Sequence, residues 1–425
     1  MTVESETITP AARACGIPEG NRPRPRGWPG HLAAVATSGS AIPAARIMLE
    51  HSARERFRRL RGAVAERGDR SRGTMRALVA SPGGRLRWRD VARPRLPGPG
   101  AALVHPIAAA TCDLDRPMAL GRTPFPLPMH FGHECVAEVV EIGEEVTTVR
   151  PGDRVVVPFQ INCGTCGPCT SGLTANCVGV PPISMFGFGL TGGHWGGTFS
   201  DLLAVPFADA MLVPLPDGID PAAAASVADN VTDGYRAIAP RLPELLARDA
   251  DAQVVIFADV ARRPPFSASV ALYAGLVARA LGARTVHLVD RRPHVRRHAE
   301  ALGLHAHQLE GRRSIGRAAL VVDTSGVSAG LNMAVRQTAP DGVCLSLASL
   351  HRISRIPTAL MYGRNITLEL ARSHARAHIP AVLDLMRDGR LAPQDVTTHL
   401  GAFDRADRHI TDHVRGEATK TILVE

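Results

Sequence analysis

The chain has 425 residues, of which 45% are hydrophobic, and a formal net charge of +9. This length predicts two or three domains with sizeable cores, and the absence of a run of about eighteen apolar residues argues against a membrane span. Residues 1–74 hold 13 arginines and 7 acidic residues, so most of the excess charge lies there and the remainder offers no footprint for a nucleic acid. A secretory signal pattern is also missing, so the sequence predicts a protein of the reducing cytoplasm.

Residues 1–74 are predicted to form a disordered basic extension. Residues 1–45 are rich in Pro, Gly, Ser and Ala and lack a steady apolar period. Residues 46–67 are rich in arginine and could form a helix that touches RNA or a membrane surface, although a solvated tail is the favoured interpretation. A start codon assigned too far upstream would also explain the segment, because the pattern changes sharply at Met75.

From Met75 to about residue 216, short β-like runs separated by Gly and Pro predict a β-rich region. The clearest runs cover residues 76–79, 137–142, 154–158 and 202–205.

A cluster of four cysteines stands inside this region: Cys163, Cys166, Cys169 and Cys177. Four thiolates at this spacing can surround one tetrahedral Zn²⁺ with no open position, and the glycines between them allow the backbone to turn sharply. An iron–sulfur cluster is the rival interpretation. Ferredoxin-type runs, however, close with a C-x3-C-P step, whereas Cys177 comes later and is not followed by proline. The cluster therefore predicts a structural zinc.

The periodicity changes near residue 250. Residues 253–257 and 285–289 are typical of buried strands, and residues 269–281 of a helix between them. Further strand-like runs cover residues 320–322 and 343–347, and the chain ends in another at 419–424. Strands that alternate with helices at this spacing predict a parallel, doubly wound sheet.

Two motifs precede the cysteine cluster: Gly-His-Glu at residues 132–134 and Gly-Asp-Arg-Val at residues 152–155. With the cysteine cluster and the later nucleotide-binding pattern, they make residues 75–425 resemble the zinc-containing medium-chain alcohol dehydrogenases. The resemblance implies an α/β protein with three parts. These are a GroES-like β-rich catalytic domain over residues 75–232, a Rossmann domain over residues 233–365, and a C-terminal return to the catalytic domain over residues 366–425.

The family's catalytic zinc has three protein ligands, and the resemblance assigns them to Cys112, His133 and Asp229. An open fourth position would bind the alcohol oxygen and lower its pKa. Glu134 would lie beside the metal, and Asp115 matches the family acid that hydrogen-bonds the ligand histidine. Taken singly, these residues have simpler interpretations as a core thiol, a buried histidine or a helix N-cap.

The chain departs from the family pattern beside the first cysteine. The family places Ser or Thr two residues after it, where the hydroxyl passes the alcohol proton outward, but this chain has Leu114. A frequent family histidine is replaced by Pro117. Proton removal would then use Asp113, His130 or Thr232, or water alone.

A second departure concerns the dinucleotide. The turn after the strand at residues 254–257 is long and has no glycine, although glycines normally let the backbone approach the pyrophosphate. Asp259 would repel a phosphate there, and Arg262 and Arg263 could offset that repulsion. Ser269 and Val270, where the helix opens, are the family-like part that remains.

Other residues are also assigned to the cofactor by the resemblance. Asp290 stands where an acid accepts the adenosine ribose hydroxyls and favours NAD, and Thr232 is a further candidate contact. Arg291 and Arg292 could instead accommodate a 2′-phosphate, so NADP stays open.

The resemblance thus implies a zinc-dependent oxidoreductase that interconverts an alcohol and an aldehyde or ketone with hydride transfer to or from NAD(P). It further implies two zinc ions per chain, one catalytic and one structural, a small-molecule substrate, and a homodimer or homotetramer. The alternative is a catalytically inactive, zinc-stabilised dehydrogenase-like protein with a binding or assembly role. The lost glycines and Leu114 favour this alternative, and the retained ligand residues oppose it.

Overall fold

The structure is a computed structural model that describes residues 73–81, 85–120, 127–187, 195–261, 266–311, 315–347, 354–416 and 418–425. The predicted disordered extension, apart from residues 73 and 74, lies outside the described residues, as do Arg262 and Arg263. Within the described ranges, no helix combines the length and the apolar character needed to cross a bilayer.

Strands predominate in the first half of the described chain, and strands alternate with helices in the second half. The strands are β1 (Thr74–Ser81), β2 (Arg85–Ala92), β3 (Ala102–Ala110), β4 (Met129–His130), β5 (Glu134–Ile142), β6 (Arg154–Val157), β7 (Leu203–Val205), β8 (Val213–Pro214), β9 (Val254–Asp259), β10 (Val286–Asp290), β11 (His305–His307), β12 (Ala318–Asp323), β13 (Thr338–Ser346), β14 (Thr367–Leu370), β15 (His399–Ala402) and β16 (Thr421–Val424). The α-helices are α1 (Asp115–Ala119), α2 (Gly167–Thr170), α3 (Ala208–Met211), α4 (Pro221–Ala224), α5 (Asn230–Ile238), α6 (Leu242–Arg248), α7 (Ser269–Ala280), α8 (Pro293–Ala301), α9 (Ser328–Gln337), α10 (Thr358–Gly363), α11 (Ala375–Arg387) and α12 (Ala406–Arg415). Short 3₁₀ turns cover Thr174–Asn176, Ala225–Ala228, Pro393–Val396 and Phe403–Arg405.

The second half of the chain forms a parallel sheet in the order β11-β10-β9-β12-β13-β14. This is the strand order of the dinucleotide-binding doubly wound fold. Every residue of β9 is buried, since helices cover both faces of the strand. Val254 and Ile256 join the core that contains α7, whereas Val255 and Phe257 join the core that contains α9. The predicted Rossmann sheet is confirmed.

The first half forms the predicted β-rich domain. Its main sheet has the order β15-β16-β3-β5-β6-β8, with β7 also paired to β3, and β2-β1-β4 form a smaller sheet. The C-terminal strand β16 pairs antiparallel with β3, so the end of the chain returns to this domain. The domain boundaries at residues 232 and 365 stay predictions. Helix α5 runs across the first, and β14, beyond the second, still belongs to the parallel sheet.

Gly234 allows α5 and α7 to pack with their backbones in contact. A Cβ at Gly234 would lie 2.8 Å from the nitrogen of Ala274 and 3.1 Å from the carbonyl carbon of Tyr273, both of them backbone atoms. We expect Gly234→Ala to lower the free energy of unfolding by about 1–3 kcal/mol, because overpacking here must separate two buried helices. Thermal or urea unfolding would measure the change.

Gly363→Ala is the matched control, since this helical glycine is exposed and an added Cβ would meet nothing within 4 Å. Its replacement should be neutral or slightly stabilising. Equal stability of the two variants would contradict the close packing of α5 on α7.

Candidate active site

The four clustered cysteines form one compact lobe. Cys163 and Cys166 precede α2, Cys169 lies within it, and Cys177 follows a 3₁₀ turn. Their sulfur atoms all lie within 4.8 Å of one another, and all four residues are buried free thiols. Hydrogen bonds from the Cys169 and Cys177 thiols lower the pKa of Cys163. This donor set fits one tetrahedral zinc ion without an open position.

A second group of donors lies where the β-rich domain meets the parallel sheet. Atoms of Cys112, His133, Glu134 and Asp229 all lie within 4.8 Å of one another. Asp229 Oδ2 is 3.3 Å from Cys112 Sγ and 3.4 Å from His133 Nε2. The pairing of Ala110 with Glu134 in the β3–β5 register brings the first three residues together. Asp229 joins them from the N-terminus of α5.

Asp115 supports this cluster from behind. Its carboxylate accepts a hydrogen bond of 2.8 Å from the Cys112 backbone N–H, and its other oxygen lies 4.0 Å from His133 Nδ1. The side chain is fully buried at the start of α1. Asp115 therefore orients the loop of Cys112 and faces the ring of His133, but at 4.0 Å it does not form the hydrogen bond to this ring that the resemblance implies.

The electrostatics of the cluster favour a cation. Burial raises the pKa of Cys112 well above its ordinary value, and the Asp229 and Glu134 carboxylates raise it further. A bound divalent cation reverses this situation, since it stabilises the thiolate and the carboxylates together. The residues present therefore fit a metal ion such as Zn²⁺.

Lys420 is a member of the site that sequence reasoning missed. Its ammonium donates to Glu134 Oε2 at 2.8 Å and to Asn230 Oδ1 at 2.9 Å, and the side chain is fully buried. Burial lowers the pKa of Lys420, but the Glu134 carboxylate, the Tyr273 hydroxyl and the Cys112 thiol together outweigh this effect and raise it above its ordinary value. The chain contains no other lysine. The presence of a single lysine in an arginine-rich chain was the sequence signal that could have drawn attention to Lys420.

Asn230 connects Lys420 to the candidate metal ligands. Its amide Nδ2 donates to Cys112 Sγ at 3.2 Å and to Asp229 Oδ2 at 3.1 Å. Its Oδ1 accepts from Lys420, and Ser269 Oγ lies 2.9 Å from the same oxygen. The side-chain amide of Asn230 thus links the donor cluster to the first residue of α7.

Replacing Lys420 with Met should strongly destabilise the protein. Breaking a buried ion pair costs about 3–5 kcal/mol, because the remaining charge is left without its partner. We expect this loss for Lys420→Met in urea unfolding. The double variant Lys420→Met with Glu134→Gln removes both charges and should recover a large part of the loss. Equal instability of the single and double variants would contradict the pairing.

The predicted cofactor contacts Ser269 and Val270, at the start of α7, donate hydrogen bonds to a carboxylate of the chain itself. Asp113 Oδ1 accepts from the Ser269 backbone N–H at 3.0 Å, and its Oδ2 accepts from the Val270 N–H at 3.3 Å. The hydroxyls of Ser267 and Ser269 also donate to Asp113. A phosphate does not fit at this helix terminus while Asp113 lies there, because it would need the same donors and would meet a like charge.

The predicted ribose contact Asp290 also interacts with another part of the chain, since it forms an ion pair with Arg292. It is buried at the end of β10, where its Oδ1 and Oδ2 accept from Arg292 Nε at 3.0 Å and Arg292 Nη2 at 2.7 Å. The Arg291 side chain is exposed instead. Thr232 is buried in α5, and its hydroxyl donates to the Asp229 carbonyl at 2.7 Å.

Comparisons with known proteins agree with this fold. A family model described as the alcohol dehydrogenase GroES-like domain matches residues 98–217. A probable zinc-binding alcohol dehydrogenase of Mycobacterium tuberculosis is 32% identical over 361 residues, covering 82% of this chain and 88% of that protein. Geraniol dehydrogenase of Castellaniella defragrans is 27% identical over 390 residues, covering 82% of this chain and 96% of that protein.

A solved structure shows the same fold. Alcohol dehydrogenase from Thermus sp. ATN1 matches with a TM-score of 0.72 and 28% identity, covering 82% of this chain and 99% of that chain. The identity to the mycobacterial protein extends over most of both sequences, and the resemblance inferred from the motifs is confirmed. The chain belongs to the zinc-dependent medium-chain alcohol dehydrogenase family.

Proposed function

We propose that the chain is a zinc-dependent oxidoreductase that interconverts an alcohol and an aldehyde or ketone, with NAD(P) as the hydride partner. The observation that carries this proposal is the convergence of Cys112, His133, Glu134 and Asp229 within 4.8 Å, between the β-rich domain and the parallel sheet. Family membership supports the reaction class, and the buried donors support the metal.

Cys112, His133 and Asp229 are the proposed ligands of the catalytic metal. Zinc held there would polarise the alcohol oxygen and stabilise the alkoxide. Asp115 positions the Cys112 loop through its 2.8 Å hydrogen bond. Lys420 holds Glu134 at the edge of the cluster through the 2.8 Å ion pair.

The route of the alcohol proton differs from the family pattern. Leu114 packs with the core and has no group that relays a proton. Asp113 is hydrogen-bonded at α7, and the Thr232 hydroxyl donates within α5. We therefore propose water as the proton acceptor in place of these two side chains, with His130 in β4 as the alternative.

Asp290 supports NAD as the dinucleotide, since it lies at the end of the second strand of the Rossmann unit. The Arg292 guanidinium is already paired with Asp290, so it is not available to a 2′-phosphate. Arg291 is exposed and supports the alternative, NADP. The buried free thiols support a reducing compartment such as the cytoplasm. A homodimer or homotetramer is the proposed assembly, on the strength of the family alone.

A direct experiment combines metal analysis with a substrate panel. We expect two zinc ions per chain and absorbance of reduced dinucleotide at about 340 nm with a primary or secondary alcohol. Cys112→Ser should lose one zinc and the activity, whereas Cys344→Ser, which replaces a buried thiol in β13, should retain both. Zinc-loaded protein that oxidises no alcohol and reduces no aldehyde or ketone with either dinucleotide would refute the proposal.

A further inference from the structure

The N-terminus of α7 is occupied by a carboxylate that comes from the other domain. Asp113 lies in the loop between β3 and α1, more than 150 positions before the helix it contacts, and it is only 7% exposed. Its two oxygens accept from the backbone N–H groups of Ser269 and Val270 and from the hydroxyls of Ser267 and Ser269. Two of the free N–H groups at this helix end, those of Ser269 and Val270, are thus satisfied by the protein itself.

This helix terminus is the one at which a doubly wound sheet binds a dinucleotide. Helix α7 follows β9, which is the first strand of this sheet along the chain. In the strand order β11-β10-β9-β12-β13-β14, β9 lies near the middle of the sheet. In such sheets the pyrophosphate lies against the N-terminus of the first helix and accepts hydrogen bonds from its backbone N–H groups. In this chain the carboxylate of Asp113 accepts those bonds.

The segment before α7 is fixed by a second interaction. Arg292 forms a bidentate ion pair with Asp290 and donates from Nη1 to the carbonyl of Phe266 at 3.0 Å. It also donates from Nη2 to the carbonyl of Ser267 at 3.3 Å. Ser267 is itself a donor to Asp113. Asp290, the segment before α7 and the Asp113 carboxylate therefore form one connected network.

We propose that Asp113 sets the dinucleotide affinity of this chain. Its carboxylate occupies the pyrophosphate position at the N-terminus of α7, and a dinucleotide binds there only after the carboxylate has left. Two physical effects act in the same direction: the phosphate loses its hydrogen-bond donors to Asp113, and it meets a like charge in a buried site. The inference rests on the proposed function, since it concerns the hydride partner of that reaction.

The test is a binding titration on full-length, zinc-loaded protein. NADH and NADPH binding is followed by fluorescence in the wild type, Asp113→Asn and Asp113→Ala. Asp113→Asn removes the charge and keeps the size, and Asp113→Ala also frees the donors of α7. We expect both variants to bind at least about tenfold more tightly than the wild type. ADP-ribose, which has the pyrophosphate but no nicotinamide, should show the same gain in competition, whereas adenosine should show none.

Asp323→Asn is the matched control. Asp323 is a buried carboxylate at the end of the neighbouring strand β12, where it accepts from Ser325 and Ser346. Its replacement removes one charge away from α7 and should leave the dissociation constants within about twofold. Zinc content and circular dichroism of each variant establish that the fold and the metal sites are intact.

The possible outcomes separate this inference from the proposed function. Dissociation constants for NADH and ADP-ribose that stay within about threefold of the wild type in both Asp113 variants would overturn the inference and leave the proposed function standing. A gain that adenosine shares would also overturn it, since the effect would then not act through the phosphates. Failure of every folded, zinc-loaded protein to bind any dinucleotide would overturn both.

Discussion

Asp229→Asn is expected to lower kcat/KM by a factor on the order of 10³ and to reduce the zinc content from two ions per chain to one. Asp229 Oδ2 lies 3.3 Å from Cys112 Sγ and 3.4 Å from His133 Nε2, so we propose it as the donor that completes the three-ligand set. An amide oxygen lacks the charge of the carboxylate and binds zinc poorly. Loss of the Lewis acid removes several kcal/mol of transition-state stabilisation, and about 4 kcal/mol corresponds to this factor.

Steady-state kinetics and metal analysis on the same samples would measure both effects. Asp323→Asn makes the same chemical change in a buried carboxylate outside the donor cluster and should retain two zinc ions and near-normal activity. An Asp229→Asn protein with two zinc ions and unchanged kcat/KM would show that Asp229 is not a ligand. In that case Glu134, which belongs to the same cluster, would be the next candidate.

Cys177→Ser is expected to produce a large loss of stability. Structural zinc in small peptides contributes about 10–16 kcal/mol, and removal of one of four thiolates forfeits part of that energy. We expect a loss of at least about 3 kcal/mol, which lowers Tm by roughly 6–12 °C in a domain of this size. The lobe from Cys163 to Cys177 should release its zinc, which a colorimetric chelator detects, and should become sensitive to proteases.

The control for this change is Cys344→Ser, which alters a buried thiol in the parallel sheet that belongs to neither donor cluster. Its Tm should change by a few degrees at most, with both zinc ions retained. The catalytic zinc should also remain in Cys177→Ser, because the two donor clusters share no residue. Two bound zinc ions and an unchanged Tm in Cys177→Ser would contradict a structural role for the lobe.

Much of the fold was predictable because the relevant signals are local. The buried apolar run of β9 and the helical period of α7 each lie within about a dozen residues, and both are confirmed within one to two positions. The spacing of the four cysteines identified their lobe for the same reason. The candidate ligands Cys112, His133 and Asp229 needed the family resemblance, since each is unremarkable alone. Their convergence agrees with that assignment, which stays a prediction until metal binding is measured.

By itself, the sequence determined the β-rich and doubly wound halves, the cysteine lobe and the residues to examine for catalysis. Only the tertiary structure decided what those residues contact. Asp113 was a candidate proton acceptor, yet it accepts hydrogen bonds from α7, 156 positions away. Lys420 pairs with Glu134 across 286 positions, because the antiparallel pairing of β16 with β3 brings the C-terminus into the site. Such contacts depend on how strands from distant segments pair, and no periodicity in the chain encodes the partner of a single buried charge.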